Sequence, residues 1–419
     1  MNTRTVATPA TDAAGSHNWR TRLARNALRR TLAGLARGVL TIREEGQDEH
    51  FGDGHVRGEL HGVVEVRHPN LWLDVLANGA LGAGEAYMKG YWTSPDLTAV
   101  VRVFCANLAT LEALDGPLAR AVQPALRGLH WLNRNTEVQA RKNIAAHYDL
   151  GNDMFRLFLD PTMMYSSAIY PRLNSTLEEA AVHKLDVVCR KLDLKPGDHL
   201  LEIGTGWGGL AVHAAKHYGC RVTTTTLSKA QHAVAVQRAQ QAGVADRITF
   251  LLDDYRDLTG QYDKLVSIEM IEAVGEQYMD TYFAKLSSLL KPDGLALIQA
   301  ITIADQRYEQ ALRSVDFIQR YIFPGGFLPS VAAIADRVAR VTDMEIVHLE
   351  DIGQHYARTL QHWRDRFFAN LAAVRELGYD DTFVRMWDYY LCYCEGGFRE
   401  RVIGTRQVLM ARPGRLQLP

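Results

Sequence analysis

The stretch Leu201-Glu202-Ile203-Gly204-Thr205-Gly206-Trp207-Gly208-Gly209 decides the fold. An apolar run ends there in a cluster of glycines. Glycines let a strand turn sharply into a helix and bring the backbone close to a ligand over the helix N-terminus. Short apolar runs alternate with helical ones around it. The predicted strands are His199–Ile203, Arg221–Thr226, Ile248–Leu252, Lys264–Ile268 and Leu295–Ile301. Helices are predicted near 208–218, 228–242 and 277–290. Upstream, Ser175 and Glu178 form a Ser-x-x-Glu capping box, opening a helix that runs to about Leu192 and stops at Lys195-Pro196-Gly197. This alternation predicts an α/β fold, a parallel sheet with helices on both faces.

Gly204, Gly206 and Gly209 also spell G-x-G-x-x-G, a weak signal for a dinucleotide. That reading needs an acid about 20 residues on to hold a ribose. The second strand ends instead in Thr223-Thr224-Thr225-Thr226. A tight strand-to-helix turn without a ligand is the plain alternative.

The chain has 419 residues, room for two to three domains at about 150 residues each. Its 47 basic and 48 acidic side chains give a net charge of -1, less basic than a protein that grips nucleic acid phosphates. No run reaches the roughly 18 apolar residues of a membrane span. The first twenty residues lack the apolar core of a secretory signal. Cys105, Cys189, Cys220, Cys392 and Cys394 are scattered and odd in number, as in a reducing cytoplasm. Cys392 and Cys394 lack a second pair or a histidine at ligand spacing, so no metal site is expected.

Between Arg4 and Arg37 there are seven arginines and one acid, Asp12. Trp19, Leu23, Leu28, Leu32, Leu35 and Val39 recur at near-helical spacing. Residues 1–37 therefore read as a basic helical segment, suited to an anionic lipid surface or docked on its own domain. Residues 38–115 read as a small α+β domain. Prolines and glycines between Gly116 and Gly128 place a linker at 116–134, and the remainder, 135–419, as a second domain.

Several motifs together carry a resemblance. Gly204 to Gly209, Thr226-Leu227-Ser228-Lys229-Ala230-Gln231 and Asp254-Tyr255-Arg256-Asp257 resemble the S-adenosylmethionine (SAM) site of cyclopropane fatty acid synthases and the related mycolic acid methyltransferases. The likeness extends through His147 to Asn152, Met164 to Ser167, Tyr321 to Gly326 and His355 to Leu360, and covers roughly 135–411 in order. Gly84–Met88 resembles the lipid-contacting domain of the longer bacterial synthases. The resemblance implies a class I SAM-methyltransferase, Rossmann-like sheet plus a small N-terminal α+β lipid-contacting domain. It implies that Gly204 and Gly206 receive the amino acid end of SAM, with Glu202 in the same loop motif. Thr226 and Gln231 would meet the ribose and adenine edge. Tyr255 would lie against adenine, with Asp254 and Arg256 beside it. Tyr148 and Tyr165 would close over the methionine portion. Core packing is the plain alternative for each tyrosine.

An alkene is a poor nucleophile and needs the strong methyl electrophile of a sulfonium. Attack leaves a carbocation on the chain, and a base must take a proton from the added methyl for a ring to close. The site must be dry, or water traps the cation. In the family the base is thought to be bicarbonate, held by a glutamate, a histidine, a tyrosine and backbone groups at a cysteine and an isoleucine. Glu272, Tyr356 and Ile301 match three of these, but Gln299 stands for the histidine and Ser167 for the cysteine. Glutamine can donate a hydrogen bond but cannot carry a proton. Glu269 stands where the family usually has glycine; it is placed to assist with protons, to touch the cofactor, or to be a solvated or ion-paired acid. Without efficient proton removal the cation can shift a hydride and give a methylene or methyl-branched chain.

The resemblance thus implies a cytoplasmic, peripheral enzyme on the inner face of the membrane, using SAM and bicarbonate, with unsaturated phospholipid as partner. Cyclopropane formation is the expected reaction, methylene or methyl branching the alternative, and a non-catalytic lipid-binding homologue the second alternative. No nucleic acid partner is expected, since the segment Glu269-Met270-Ile271-Glu272 lacks the proline motif of base-methylating enzymes. A homodimer is compatible with this reading.

Overall fold

The computed structural model describes residues 19–52, 60–108 and 151–415. Helix α1 (Trp19–Leu32), strands β1 (Val39–Glu44), β2 (Gln47–Phe51) and β3 (His61–Val66), helix α2 (Asn70–Met88), strand β4 (Trp92–Thr93) and helix α3 (Leu97–Ala106) come first. Helix α4 (Leu177–Lys191) follows, then β5 (His199–Ile203), α5 (Gly209–His213), β6 (Arg221–Thr225), α6 (Lys229–Gln241), β7 (Ile248–Leu251) and β8 (Tyr262–Ile268). The chain continues through α7 (Met279–Leu289), β9 (Leu290–Ile303), α8 (Val331–Val341), β10 (Glu345–Asp351), α9 (Gly353–Ala369), α10 (Asp381–Arg399) and β11 (Ile403–Ala411).

These elements form two compact units that are not continuous in sequence. The first takes the described residues before 109, with Arg313–Ile322 and Trp363–Val402. The second takes 151–312, Phe323–His362 and the described residues from Ile403 on. Segments 313–322 and 363–402, read from the sequence as part of one continuous 135–419 domain, therefore cluster with the N-terminal elements.

In the first unit the sheet runs β2-β1-β3-β4. Helix α10 packs on α2 and α3. Gly84 lies inside α2 because a Cβ there would stand 2.6 Å from the Phe317 ring and 2.9 Å from Tyr389. Helix α1 buries Ala24, Leu28 and Leu32, but Trp19 and Leu23 are 64% and 63% exposed. At about 100° per residue, Trp19 falls on the face opposite Leu28, so the apolar positions read as one stripe belong to two faces.

In the second unit seven strands run β10-β11-β9-β8-β5-β6-β7. Strands β5 to β9 pair in parallel, as expected. The sheet as a whole is mixed, not purely parallel, because β11 runs antiparallel to both β9 and β10. Side chains alternate between two cores. Leu201, Leu265, Ile298 and Val408 join Phe283 and Ile334 on one face; Leu200, Val266, Leu297 and Leu409 join Val188 and Leu210 on the other. Each such burial contributes on the order of 1.5–3 kcal/mol.

The capping box of α4 sits one residue later than the sequence reading. Thr176, not Ser175, is the N-cap, and it exchanges hydrogen bonds with Glu179. The sequence Ser-Thr-Leu-Glu-Glu fits both registers. Ser175 is drawn into a turn by its N–H bond to Arg172 O, which leaves Thr176 to take the extended cap conformation.

Candidate active site

The glycine loop leaves β5 and enters α5. Gly204 N and Thr205 N both donate to Thr225 O, which clamps the loop onto β6. Gly206 has φ +52°, and a Cβ there would meet nothing within 4 Å. Gly208 and Gly209 are different. A Cβ at Gly208 would lie 2.9 Å from that of Ala235, and one at Gly209 would lie 2.7 Å from Thr162 O. Two glycines thus serve helix packing, and Gly206 keeps space open above the loop.

Glu202 points into the sheet, where Thr224 donates to its Oε2 at 2.6 Å. Burial pushes its carboxyl up to about 8. At the end of β6, Thr226 Oγ1 donates to Gln231 Oε1 at 2.9 Å, and Ser228 caps α6 through Gln231 N. After β7, Arg256 grips Asp254 with two bonds of 2.7 and 2.8 Å. Tyr255 is buried against Tyr282, and burial pushes its phenol up to about 12. Tyr165 lies half-buried beside Phe155 and Phe323. Tyr148 lies outside the described residues. The open space over Gly206 lies at the ends of β5 and β6, where a ligand can rest against the loop backbone.

The reaction-centre residues converge at the ends of β8 and β9. Glu269 follows β8 with φ +49°. Its Oε1 accepts from Ser167 N at 3.0 Å and from Gln299 Nε2 at 2.8 Å. Its Oε2 accepts from Tyr356 Oη at 2.8 Å. Glu272 Oε1 accepts from Ile301 N at 2.5 Å, and its buried Oε2 has no partner. Ser167, Gln299, Ile301, Tyr356 and Glu272, whose outermost members lie 189 residues apart in the chain, are therefore brought together. The group that joins three of them is Glu269, a partly exposed acid just past the end of β8 whose two oxygens accept from three neutral donors. Burial raises both acids, and the charge of Glu269 raises Glu272 further, up to about 8. Two neighbouring carboxyls disfavour a second negative charge, and Glu272, whose Oε2 has no partner, is the one pushed furthest from the ionised form.

Gln299 is itself held. Its Oε1 accepts from Gln407 Nε2 at 2.9 Å, and Gln407 Oε1 accepts from Lys191 Nζ at 2.7 Å. Gln407 faces Gln299 directly across the β9–β11 ladder. This fixes the amide so that its N–H group faces Glu269. Neither Gln407 nor the fully buried Lys184 on α4 was singled out from the sequence. The signal for Lys184 was its place at i+3 and i+4 from Ala181 and Ala180 on the core face of α4.

Residues 135–408 match the family model for mycolic acid cyclopropane synthetase. The chain belongs to this family. It is 40% identical over 372 residues to the tuberculostearic acid methyltransferase UfaA1 of Mycobacterium tuberculosis, covering 85% of this chain and 86% of that protein. It is 38% identical over 359 residues to the cyclopropane-fatty-acyl-phospholipid synthase of Escherichia coli, covering 85% and 90%. Among solved structures, the mycolic acid cyclopropane synthase CmaA1 with SAH and CTAB superposes with a TM-score of 0.61 at 32% identity, over 65% of this chain and 98% of that one. As a member of the family the chain is a SAM-dependent methyltransferase of class I fold. Among the described residues, no helix is long and apolar enough to cross a membrane.

Proposed function

We propose that this methyltransferase adds the methyl carbon of SAM to the double bond of an unsaturated phospholipid acyl chain and completes the reaction with its own carboxylate, Glu269. The main product in this reading is a methylene-bearing chain. The observation that carries it is the set of three donors, Ser167 N, Gln299 Nε2 and Tyr356 Oη, all aimed at Glu269. Those donors, with Ile301 N, are the ones the resemblance assigned to bicarbonate. Here the chain's own two acids take them, so the reaction has no need of a dissolved base.

Bound SAM supplies a sulfonium methyl to the alkene. The protein's part is to receive the charge that this creates. One alkene carbon gains the methyl, and its neighbour becomes cationic. Glu269, ionised and held by three hydrogen bonds, faces that cation. Those bonds disperse its charge and make it a weaker, slower base than a free carboxylate. Slow proton removal leaves time for a hydride to move from the methyl-bearing carbon to its neighbour. Glu269 then takes a proton from the methyl, and the C–H electron pair becomes the double bond of the methylene branch. Glu272, protonated, adds no second negative charge. Buried aromatic rings around Tyr165 keep water from the cation.

Support for the lipid substrate comes from the named activity of the Escherichia coli relative. Contact with the inner face of the membrane is supported by α1, where exposed Trp19 and Leu23 accompany Arg22 and Arg30. The test is mass spectrometry of lipids from a host expressing the protein, with and without carbonate in a purified assay. A methylene product independent of carbonate is expected. A product that is all cyclopropane and falls with carbonate removal would return the assignment to a ring-forming synthase.

A further inference from the structure

Lys184 sits at the centre of α4 with no exposed surface. A fully buried ammonium is expensive unless charges and hydrogen bonds around it compensate. Its Nζ donates to Ser166 Oγ at 2.9 Å. The next residue, Ser167, gives its backbone N–H to Glu269. The carboxylates whose charge acts on Lys184 are Glu269 first, then Asp160, then Glu202, with the Cys189 thiol after them. Glu269 stands at the reaction centre, so the first of these carboxylates ties the buried cation to the chemistry. The groups facing Glu269 are Lys184, the Glu272 carboxyl and the Tyr356 hydroxyl, with Gln299 neutral. Asp160 is already engaged by Thr162 and by Met164 N.

We infer that Lys184 is a positioning residue for methyl transfer. Its charge keeps Glu269 ionised as the base, and its bond to Ser166 holds the segment that presents Ser167 N. The inference rests on Glu269 being the base.

The test is the pH dependence of SAM turnover on oleoyl phospholipid vesicles at saturating SAM, for wild type, Lys184→Gln and Glu269→Gln. Glutamine keeps a donor for Ser166 and drops the charge. Removing the cation makes Glu269 harder to ionise, so the acid limb should move up by about one pH unit. On the acid side of the limb that is about a tenfold loss, regained on its alkaline side. Ser166→Ala, with the charge kept, should leave the limb in place. If Lys184→Gln does not fold, Lys184→Gln with Asp160→Asn takes its place, since it removes one buried acid with the cation. A uniform fall with an unmoved limb would make Lys184 merely structural and overturn the inference. A Glu269→Gln enzyme that keeps the wild-type limb would instead remove Glu269 as the base, and both readings would fall together.

Discussion

Replacing Glu269 by glycine separates the built-in base from the pocket that holds it. The substitution deletes a carboxylate that accepts three hydrogen bonds and leaves Ser167 N, Gln299 Nε2 and Tyr356 Oη facing a small void. The backbone does not object. At φ +49° a residue with a Cβ carries a cost of about 1–2 kcal/mol that glycine avoids. This offsets part of the cost of the orphaned donors, and the variant should stay folded. Losing a positioned base lowers turnover by about 10²–10⁴-fold. The same three donors then form a site for a free anion. Bonds to a charged group contribute about 1.5–3 kcal/mol each, or about 5–9 kcal/mol for three. Capturing a separate molecule costs at least about 4 kcal/mol in lost freedom. The remainder, at most about 5 kcal/mol, corresponds to half-saturation at or above about 0.2 mM. Conversion of SAM to S-adenosylhomocysteine on oleoyl vesicles in carbonate-free buffer, then with added bicarbonate, is the assay. Bicarbonate should restore part of the rate, and the restored product should be richer in cyclopropane. Wild-type turnover by Glu269→Gly without carbonate would refute the reasoning, as would a wild type that stops when carbonate is removed.

Gly206→Val should abolish SAM binding in calorimetric titration while the protein stays folded, because valine at φ +52° is strained and would fill the open space over the loop. Unchanged affinity would take the loop out of the site. Glu202 is pushed up to about 8 from an unfolded value of about 4.3, so its favourable contribution is complete below the lower value and is lost as pH rises through the upper one. Glu202→Gln does not titrate and should therefore gain stability over wild type between about pH 4.5 and 8; urea unfolding that gives the same difference at pH 5 and pH 9 would contradict this. Trp19→Ser with Leu23→Ser should weaken binding to anionic vesicles about tenfold, since each inserted apolar side chain contributes on the order of 1 kcal/mol or more. Identical sedimentation with vesicles would leave α1 a purely structural helix.

The parallel strands were legible as short apolar runs alternating with helical ones, and His199–Ile203, buried on both faces, was read to the residue. Strand β11 was not, because its Ile403–Ala411 pattern gains meaning only from the register that lays Gln407 against Gln299. The reaction-centre residues were found through motifs. Their connection was not, since Glu269 reaches Ser167 and Tyr356 across separations of 102 and 87 residues that no local pattern encodes. Lys184 escaped notice for a different reason: a lysine between two alanines and a leucine on a helical face reads as a snorkelling surface residue until burial is known. The stripe through Trp19 failed because near-helical spacing tolerates enough angular drift to join opposite faces.

The amides behind Glu269 have a direction. Lys191 donates a hydrogen bond to Gln407, Gln407 to Gln299, and Gln299 to the carboxylate. Each member is fixed by the one before it, starting from a lysine that can only donate. A change at one position is therefore felt as a mismatch at the next. A histidine at 299 offers one ring nitrogen to whatever lies at 269 and turns the other toward Gln407. If that second nitrogen must donate, Gln407 has to reverse its amide, and its N–H group then confronts Lys191. Passage between a pocket that carries its own base and one that borrows it from solution is consequently not a single substitution. Glycine at 269, the ring at 299 and a new partner at 407 or 191 would have to arrive together, and chains with only some of them would be slow at either reaction.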